Sequence, residues 1–337
     1  MLEQENNSSQ LEHLQLKSIE TIIDLVGAKE GLKQLRESGL HEKAHVKPMV
    51  NFLRGKIYYQ KKFAKAKNVL LEAIKLIDRN LGAWESTNLK SSCFGELARI
   101  FFQEKNYDET IAYNQKGIDS FVEHGTRKYT KAILLSNHSL YLLRLNLLEE
   151  SLEMVKNCKH HLGSQETGLS FIYPYNVEVN ALIENKSYTQ AIQSAELGIE
   201  IARISQSYDR SFQLWSSLGD IYFEQEEFSV ALICYQTALR LKTRVSYENW
   251  FTYIRLQLGL IYIQKKDFNQ AESHLLDAVK TSDGTRMDHI YEAYNALGDM
   301  YLQLNDTEKA VRFLQQALHI AQDHKLYKQE RESLTKL

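Results

Sequence analysis

The most constraining feature of this chain is a small residue that recurs about every 40 residues. Each copy lies near the start of a segment with helical periodicity and follows another such segment. The intervals between successive copies are 44, 41, 40, 40, 40 and 39 residues. Spacing this regular predicts a repeat protein of about seven helical hairpins. The small residues are Ala66, Thr110, Ser151, Ala191, Ala231, Ala271 and Ala310.

The stretch from Trp215 to Leu241 shows the composition of one repeat. Its first half has apolar residues at helical spacing around Gly219, and Ala231 opens a second apolar helical face. The sequence EQEEF between the halves is polar apart from Phe228, as expected of a tight turn. Such a hairpin cannot bury its apolar faces alone, so it needs neighbours of the same kind.

Composition narrows the class of protein. Two prolines and 15 glycines in 337 residues favour helix throughout, and Pro48 and Pro174 each precede an apolar helical run, where proline fits the first turn. The 41 Lys and Arg against 43 Asp and Glu give no overall basic field for nucleic acid. Cys93, Cys158 and Cys234 lack the spacing of a metal or redox site, which predicts packed thiols in a reducing compartment.

The two ends of the chain suggest caps on the repeats. The polar N-terminus is no signal peptide and no apolar run is long enough for a membrane span, so we expect a cytoplasmic protein without membrane contact. Residues 1–8 are expected to fray, and a capping box from Ser9 to Glu12 predicts the first helix start. Gly27 and Gly39 are expected to end the first two helices. The predicted domains are an N-terminal hairpin (1–46), a repeat domain (47–326) and a helical tail (327–337).

The run from His41 to His45 matches the H-E-x-x-H pattern of zinc hydrolases. That chemistry needs both histidines on one helix face, with a third ligand nearby. The run is short and polar and lies between Gly39 and Pro48, so we interpret it as a linker between helices. The sequence also lacks a glycine-rich phosphate loop and a nucleophile motif. It therefore predicts no metal, no cofactor and no catalytic site.

The candidate binding site is the wall formed by the first helix of each hairpin, which is expected to line a groove. Polar side chains beside its Leu-Gly positions should point into that groove. An amide is both donor and acceptor, so one Asn can hold the C=O and N–H of a peptide unit together. The alternative is a solvated face without a ligand. The candidate peptide-binding residues are Arg99, Asn137, Asn176, Asn180, Gln213, Asp220, Gln257, Asn295 and Asp299.

The pattern of Trp, Leu-Gly, Tyr and Ala resembles the tetratricopeptide repeat, with Gly219, Gly259 and Gly298 in its glycine column. That repeat has a period of about 34 residues, so each hairpin here is longer. The resemblance covers roughly residues 47–326. It implies an all-α, right-handed superhelix and a general scaffold for binding peptides.

The long repeat and the Asn137-His138 pair resemble a narrower group, the peptide-pheromone receptors of Gram-positive bacteria of the Rap, NprR, PlcR and PrgX type. The closest resemblance is to the sensor region of an NprR-type regulator. It implies a quorum-sensing receptor that takes a short signalling peptide in its groove and switches transcription or a sporulation relay. It also implies a homo-oligomer, dimer or tetramer, and assigns peptide-backbone contacts to Asn137, Asn176 and Asn295.

The N-terminal region leaves the effector open. DNA-binding members carry a helix-turn-helix domain, for which residues 1–46 are too short and too weakly basic. The chain is thus expected to be either a piece of a longer regulator or a member without DNA binding. Two alternatives stay open: an adaptor scaffold for linear motifs of signalling partners, and a Rap-type protein that promotes dephosphorylation of a bound response regulator. The chain itself is not expected to be an enzyme.

Overall fold

The computed structural model describes residues 2–59, 62–163, 172–245, 250–280 and 287–336. Within these ranges every regular element is a helix, as predicted. The α-helices are α1 (Leu2–Leu25), α2 (Ala28–Glu37), α3 (Lys47–Tyr58), α4 (Phe63–Arg79), α5 (Leu81–Trp84), α6 (Leu89–Gln103), α7 (Tyr107–Asp119), α8 (Tyr129–Arg144), α9 (Leu148–Gly163), α10 (Ile172–Glu184), α11 (Tyr188–Ile204), α12 (Tyr208–Glu224), α13 (Phe228–Arg240), α14 (Trp250–Gln264), α15 (Phe268–Lys280), α16 (Met287–Gln303), α17 (Thr307–Asp323) and α18 (Tyr327–Lys336).

The predicted hairpins are present as consecutive helix pairs. Helix α3 packs on α4, α6 on α7, α8 on α9, α12 on α13, α14 on α15, and α16 on α17. In the remaining pair, Ser194 of α11 donates a hydrogen bond to Glu178 of α10 at 2.5 Å. The recurring small residue lies in the second helix of each pair, and all seven copies are fully buried. The period therefore marks the tightest point of each hairpin.

Glycine on the first helix permits the close approach of the second. A Cβ atom at Gly219 would lie 2.5 Å from Cε1 of Tyr235, and one at Gly259 would lie 2.5 Å from Cγ of Leu275. Such distances are shorter than carbon atoms tolerate, so a larger residue would push the helices apart. The glycine column of the sequence thus reflects the spacing between paired helices.

The turn inside each hairpin has a feature that the sequence did not reveal. One non-glycine residue in each of the last six turns adopts a left-handed conformation, with φ between 56° and 61°. The following amide then donates back to the end of the first helix, as from Glu227 to the carbonyl of Tyr222 at 2.8 Å. This bond closes the helix in the manner usually associated with glycine. The residues are Lys105, Asn146, Lys186, Glu226, Lys266 and Asn305.

The N-terminal prediction was partly wrong. Helix α1 begins at Leu2, so residues before Ser9 are helical and the capping box does not start the helix. Gly27 and Gly39 do separate the helices as predicted, both with positive φ.

Several other local predictions can be compared with the structure. Pro48 lies in the first turn of α3, and Pro174 is the third residue of α10. The C-terminal tail forms a separate helix, α18, after a left-handed residue at Lys325. Ser164 and Gly168, which the sequence predicts to break the chain before Pro174, lie outside the described residues.

Contacts divide the chain into two compact units, Met1–Val177 (unit 1) and Glu178–Leu337 (unit 2). The core of unit 1 includes Leu35, Leu53 and Leu97, each at most 1% exposed. Unit 2 has clusters around Tyr235 and Leu275, which are fully buried. All three cysteines are free and buried, as predicted. None of the helices described here has the length and apolar character that crossing a membrane requires.

Candidate peptide-binding surface

Two positions on the first helices carry six of the nine candidate residues. They lie 11 and 14 residues before the buried small residue, so they share one helix face. We call them the inner row and the outer row. From the second pair onward the inner row is Arg99, Leu140, Asn180, Asp220, Leu260 and Asp299, all partly or fully exposed. The outer row is Glu96, Asn137, Val177, Ser217, Gln257 and Ala296.

Arg99 is already engaged by its own helix. Its Nη1 atom donates to both carboxylate oxygens of Glu96 at 2.9 Å. The guanidinium also stacks over the ring of Tyr59, 4.5 Å from the centroid. The charge of Glu96 raises the pKa of Arg99, so the side chain stays cationic. Sequence reasoning selected Arg99 but missed Glu96, which lies one helical turn earlier.

Lys56 follows Gly55 on α3, as Asp220 follows Gly219 and Asp299 follows Gly298 on their own helices. Its Nζ atom lies 2.7 Å from Asp24 and 3.4 Å from Glu20, both on α1. Glu20 also pairs with Arg127, which precedes α8 and whose guanidinium lies 5.0 Å from the ring centroid of Phe52. The N-terminal hairpin therefore neutralises two cations of unit 1. These long-range pairs had no sequence signal.

Asn137 and His138 are adjacent in sequence but serve different surfaces. Asn137 is partly exposed, and no described residue forms a hydrogen bond with its side chain. His138 is buried, with Nδ1 3.0 Å from Nδ2 of Asn114, which also donates to the carbonyl of Leu134. Burial lowers the pKa of His138, so the neutral ring accepts the hydrogen bond at Nδ1. The histidine fixes α8 against α7 beneath the exposed amide.

In unit 2, Asp220 accepts hydrogen bonds from two tyrosines. The hydroxyls of Tyr235 and Tyr253 both donate to Oδ1 of Asp220 at 2.6 Å. Burial raises the pKa of Asp220, and the two hydrogen bonds act in the opposite direction. The carboxylate therefore joins three helices, α12, α13 and α14.

The side-chain amides of the other candidate residues differ in exposure and in hydrogen bonding. Asn180 is exposed and accepts from Ser217 at 3.3 Å, while Gln213 accepts from Arg210 at 2.8 Å. Asn176 is buried, with 8% of its surface exposed. Gln257 is partly exposed, and its amide finds no hydrogen-bond partner in the described part of the chain.

The candidate residues of the last repeat are covered by the chain's own C-terminal helix. Lys336 of α18 donates to Asn295 at 3.0 Å and to Asp299 at 2.8 Å. On the same two helices, the hydroxyl of Tyr291 donates to the carbonyl of Gln329 at 3.1 Å. Helix α18 thus takes the place that a following first helix would have.

The zinc-like run does not form the geometry of a zinc hydrolase. Residues Leu40–Glu42 and Ala44–Val46 form two short 3-10 turns, so the histidines do not share an α-helical face. His45 instead lies 2.6 Å from Glu12 of α1, which also pairs with Lys43. Among the described residues, His, Cys, Asp and Glu form no group of three that could hold a metal ion. The run links the N-terminal hairpin to the repeats.

Comparison with protein-family models identifies tetratricopeptide repeats in two segments, residues 212–244 and residues 252–323. Both segments lie in unit 2, where the glycine column is most regular. No curated protein matches the sequence.

Solved structures with the same fold include two Rap proteins. A Rap protein complexed with Competence and Sporulation Factor has a TM-score of 0.62 at 12% identity, covering 98% of this chain and 97% of its own. The apo form of RapI has a TM-score of 0.56 at 14% identity, covering 86% of this chain and 98% of its own.

A signal transduction ATPase with a tetratricopeptide repeat sensor, from Pyrococcus horikoshii, has a TM-score of 0.61 at 16% identity. The match covers 88% of this chain and 46% of that one. At such identities these likenesses concern the fold alone. The chain is therefore an all-α helical-hairpin repeat protein of the tetratricopeptide type.

Proposed function

We propose that this chain is a receptor for a short signalling peptide, bound in extended form along the exposed face of its first helices. The observation that carries the proposal is the state of Asn137 and Gln257. They occupy the same outer-row position, one in each unit, and both amides are partly exposed without a hydrogen-bond partner among the described residues. Each can therefore accept from and donate to one peptide unit within its own unit.

Arg99 supplies a charge beside the amide of unit 1. Glu96 engages its Nη1 atom, while its Nε and Nη2 groups form no hydrogen bond within the described ranges. Arginine binds carboxylates through two parallel N–H groups, so an acidic side chain or the C-terminal carboxylate of a peptide suits this position. By contrast, Lys336 holds Asn295 in place, and a ligand there would have to displace it.

The fold neighbours support this reading, since one of them is a Rap protein solved with Competence and Sporulation Factor. As a quorum-sensing receptor in the cytoplasm, the chain would act through another protein rather than through catalysis of its own. A response regulator or a second copy of the chain would be that partner. The adaptor alternative differs in having a linear motif of a larger protein as its ligand.

The test is calorimetry with a peptide selected by thermal shift from a library of short peptides with free termini. Asn137→Ala and Gln257→Ala should each weaken binding by roughly 1–3 kcal/mol, because a buried peptide group loses its partner. Arg99→Lys should weaken binding of a peptide whose carboxylate meets the guanidinium fork.

Two controls match these variants. Asn157 is exposed on the second helix α9, and Arg144 is exposed at the end of α8. Asn157→Ala and Arg144→Lys should bind like the wild type. Unchanged affinity in Asn137→Ala, Gln257→Ala and Arg99→Lys together would reject this surface, and the adaptor alternative would then lead.

A further inference from the structure

The near-neutral net charge of the chain conceals a strongly basic segment. Residues 28–79 contain thirteen Lys and Arg against five Asp and Glu, although the whole chain has a net charge of −2. The segment includes α2, the linker, α3 and α4, all in unit 1. Acidic residues elsewhere in the chain balance this basic segment, so the net charge of the whole chain does not reveal it.

Helix α4 carries both acidic and basic residues, and several of them form ion pairs with neighbouring helices. Its two acidic residues are engaged by lysines of first helices: Glu72 lies 3.5 Å from Lys47 of α3, and Asp78 lies 2.7 Å from Lys90 of α6. The cation Lys67 also points toward a neighbour, because it pairs with Glu104 at 2.8 Å. The acids of α4 are therefore compensated within the fold.

The other cations of α4 face solvent. Lys65, Lys75 and Arg79 are exposed, and none of them pairs with an acidic residue in the described structure. Their separations of ten and four residues place them on one face of the helix, which they share with Glu72, the partner of Lys47. Leu71, with 36% of its surface exposed, borders this face. We call Lys65, Lys75 and Arg79 the α4 basic stripe.

We propose that the α4 basic stripe is a docking surface for a protein segment rich in Asp and Glu. A row of uncompensated cations attracts an acidic surface over several ångströms and aligns it along the helix. Lys29 and Arg36, exposed on one face of α2, extend the same positive character on a helix that also packs on α3. The proposal is independent of the peptide-binding surface, which lies on the first helices.

Two observations favour an acidic protein over nucleic acid. Outside residues 28–79 the chain carries more acidic than basic residues, and its isoelectric point is about 6.6. A long polyanion would therefore meet repulsion away from the stripe, whereas a short acidic segment would not. Leu71 beside the stripe also suits a protein interface, where apolar and charged contacts combine.

The test measures fluorescence anisotropy of a labelled polyglutamate peptide with the full chain at low and at physiological salt. The triple variant Lys65→Glu, Lys75→Glu, Arg79→Glu should bind roughly tenfold or more weakly, since each exposed ion pair contributes modestly. The control variant Arg240→Glu, Lys280→Glu, Arg312→Glu makes the same change in net charge on exposed second-helix positions of unit 2. This control variant should bind like the wild type. Added salt should weaken the binding of polyglutamate to the wild type and to the control variant.

Three results would overturn the proposal: no binding of polyglutamate at low salt, an equal loss in both triple variants, or tighter binding of duplex DNA than of polyglutamate at the same stripe. An equal loss would mean that only net charge matters. Circular dichroism and thermal melting check that each variant is folded. If the charge-reversal variant does not fold, Lys65→Gln, Lys75→Gln, Arg79→Gln takes its place under the same criteria.

Discussion

Asp220 shows what burial does to a single carboxylate. Its raised pKa means that the folded protein holds a proton more tightly than the unfolded chain does. The contribution of this carboxyl group to the stability of the fold is fully present below pH 3.8, the ordinary pKa of Asp. It is lost as pH rises through the folded-state pKa. The hydroxyls of Tyr235 and Tyr253 reduce this loss because they donate to the charged form.

Asp220→Asn should remove this pH dependence, because asparagine does not titrate. We expect the free energy of unfolding of the wild type to rise relative to that of the variant as pH falls from about 7 toward about 4. Urea denaturation over this range measures the difference, with Asp108→Asn, at an exposed position on α7, as control. A difference independent of pH would show that the carboxylate is not perturbed.

Gly219 allows a prediction about packing with a matched control in the same chain. A Cβ atom at Gly219 would lie within 2.8 Å of three ring atoms of Tyr235, whereas one at Gly82 would meet nothing within 4 Å. Gly219→Ala should therefore destabilise the fold by roughly 1–3 kcal/mol through overpacking. Gly82→Ala should be neutral or slightly stabilising, because alanine favours helix more than glycine does. Denaturation midpoints of the two variants measure the difference in stability. Equal effects of Gly219→Ala and Gly82→Ala would contradict the packing argument.

At the scale of elements, the hairpin turns hold non-glycine residues in a conformation that costs roughly 1 kcal/mol for an L-residue. Lys266→Gly, at φ 59°, should therefore raise the free energy of unfolding by about 0.5 kcal/mol, since the unfolded-state entropy of glycine offsets part of the relief. Asn305 has the same φ, but asparagine tolerates it better.

Asn305→Gly should consequently change stability less than Lys266→Gly. Both variants can be compared by chemical denaturation at one pH. A larger gain at Asn305 than at Lys266 would show that the turn conformation is not the source of the effect.

At the scale of the whole molecule, each hairpin contacts its neighbours, so a local defect should stay local. Gly219→Ala lies in unit 2, and we expect it to speed amide hydrogen exchange in α12 and α13 far more than in α3 and α4 of unit 1. Mass spectrometry of exchanged peptides measures both regions in one experiment. Uniformly faster exchange along the chain would indicate a single cooperative unit instead.

The repeat period, the helical class and the position of each hairpin were readable from the sequence alone. They depend on small residues such as Ala231 and Ala271, whose burial at a helix crossing is a local requirement repeated in every hairpin. The candidate surface was only partly readable. Arg99 and Asn137 followed from helical phase, and an offset of 11 residues from the buried small residue would also have found Leu140 and Leu260.

Only the tertiary structure shows which polar side chains of the first helices pair with a residue of another helix. Asp220 is joined to Tyr253, Lys56 to Asp24, and Asp299 to Lys336, across 33, 32 and 37 residues. Helical periodicity determines which face a residue occupies, because that depends on neighbours three and four positions away. It cannot determine what crosses that face, because such contacts depend on how separate helices pack together.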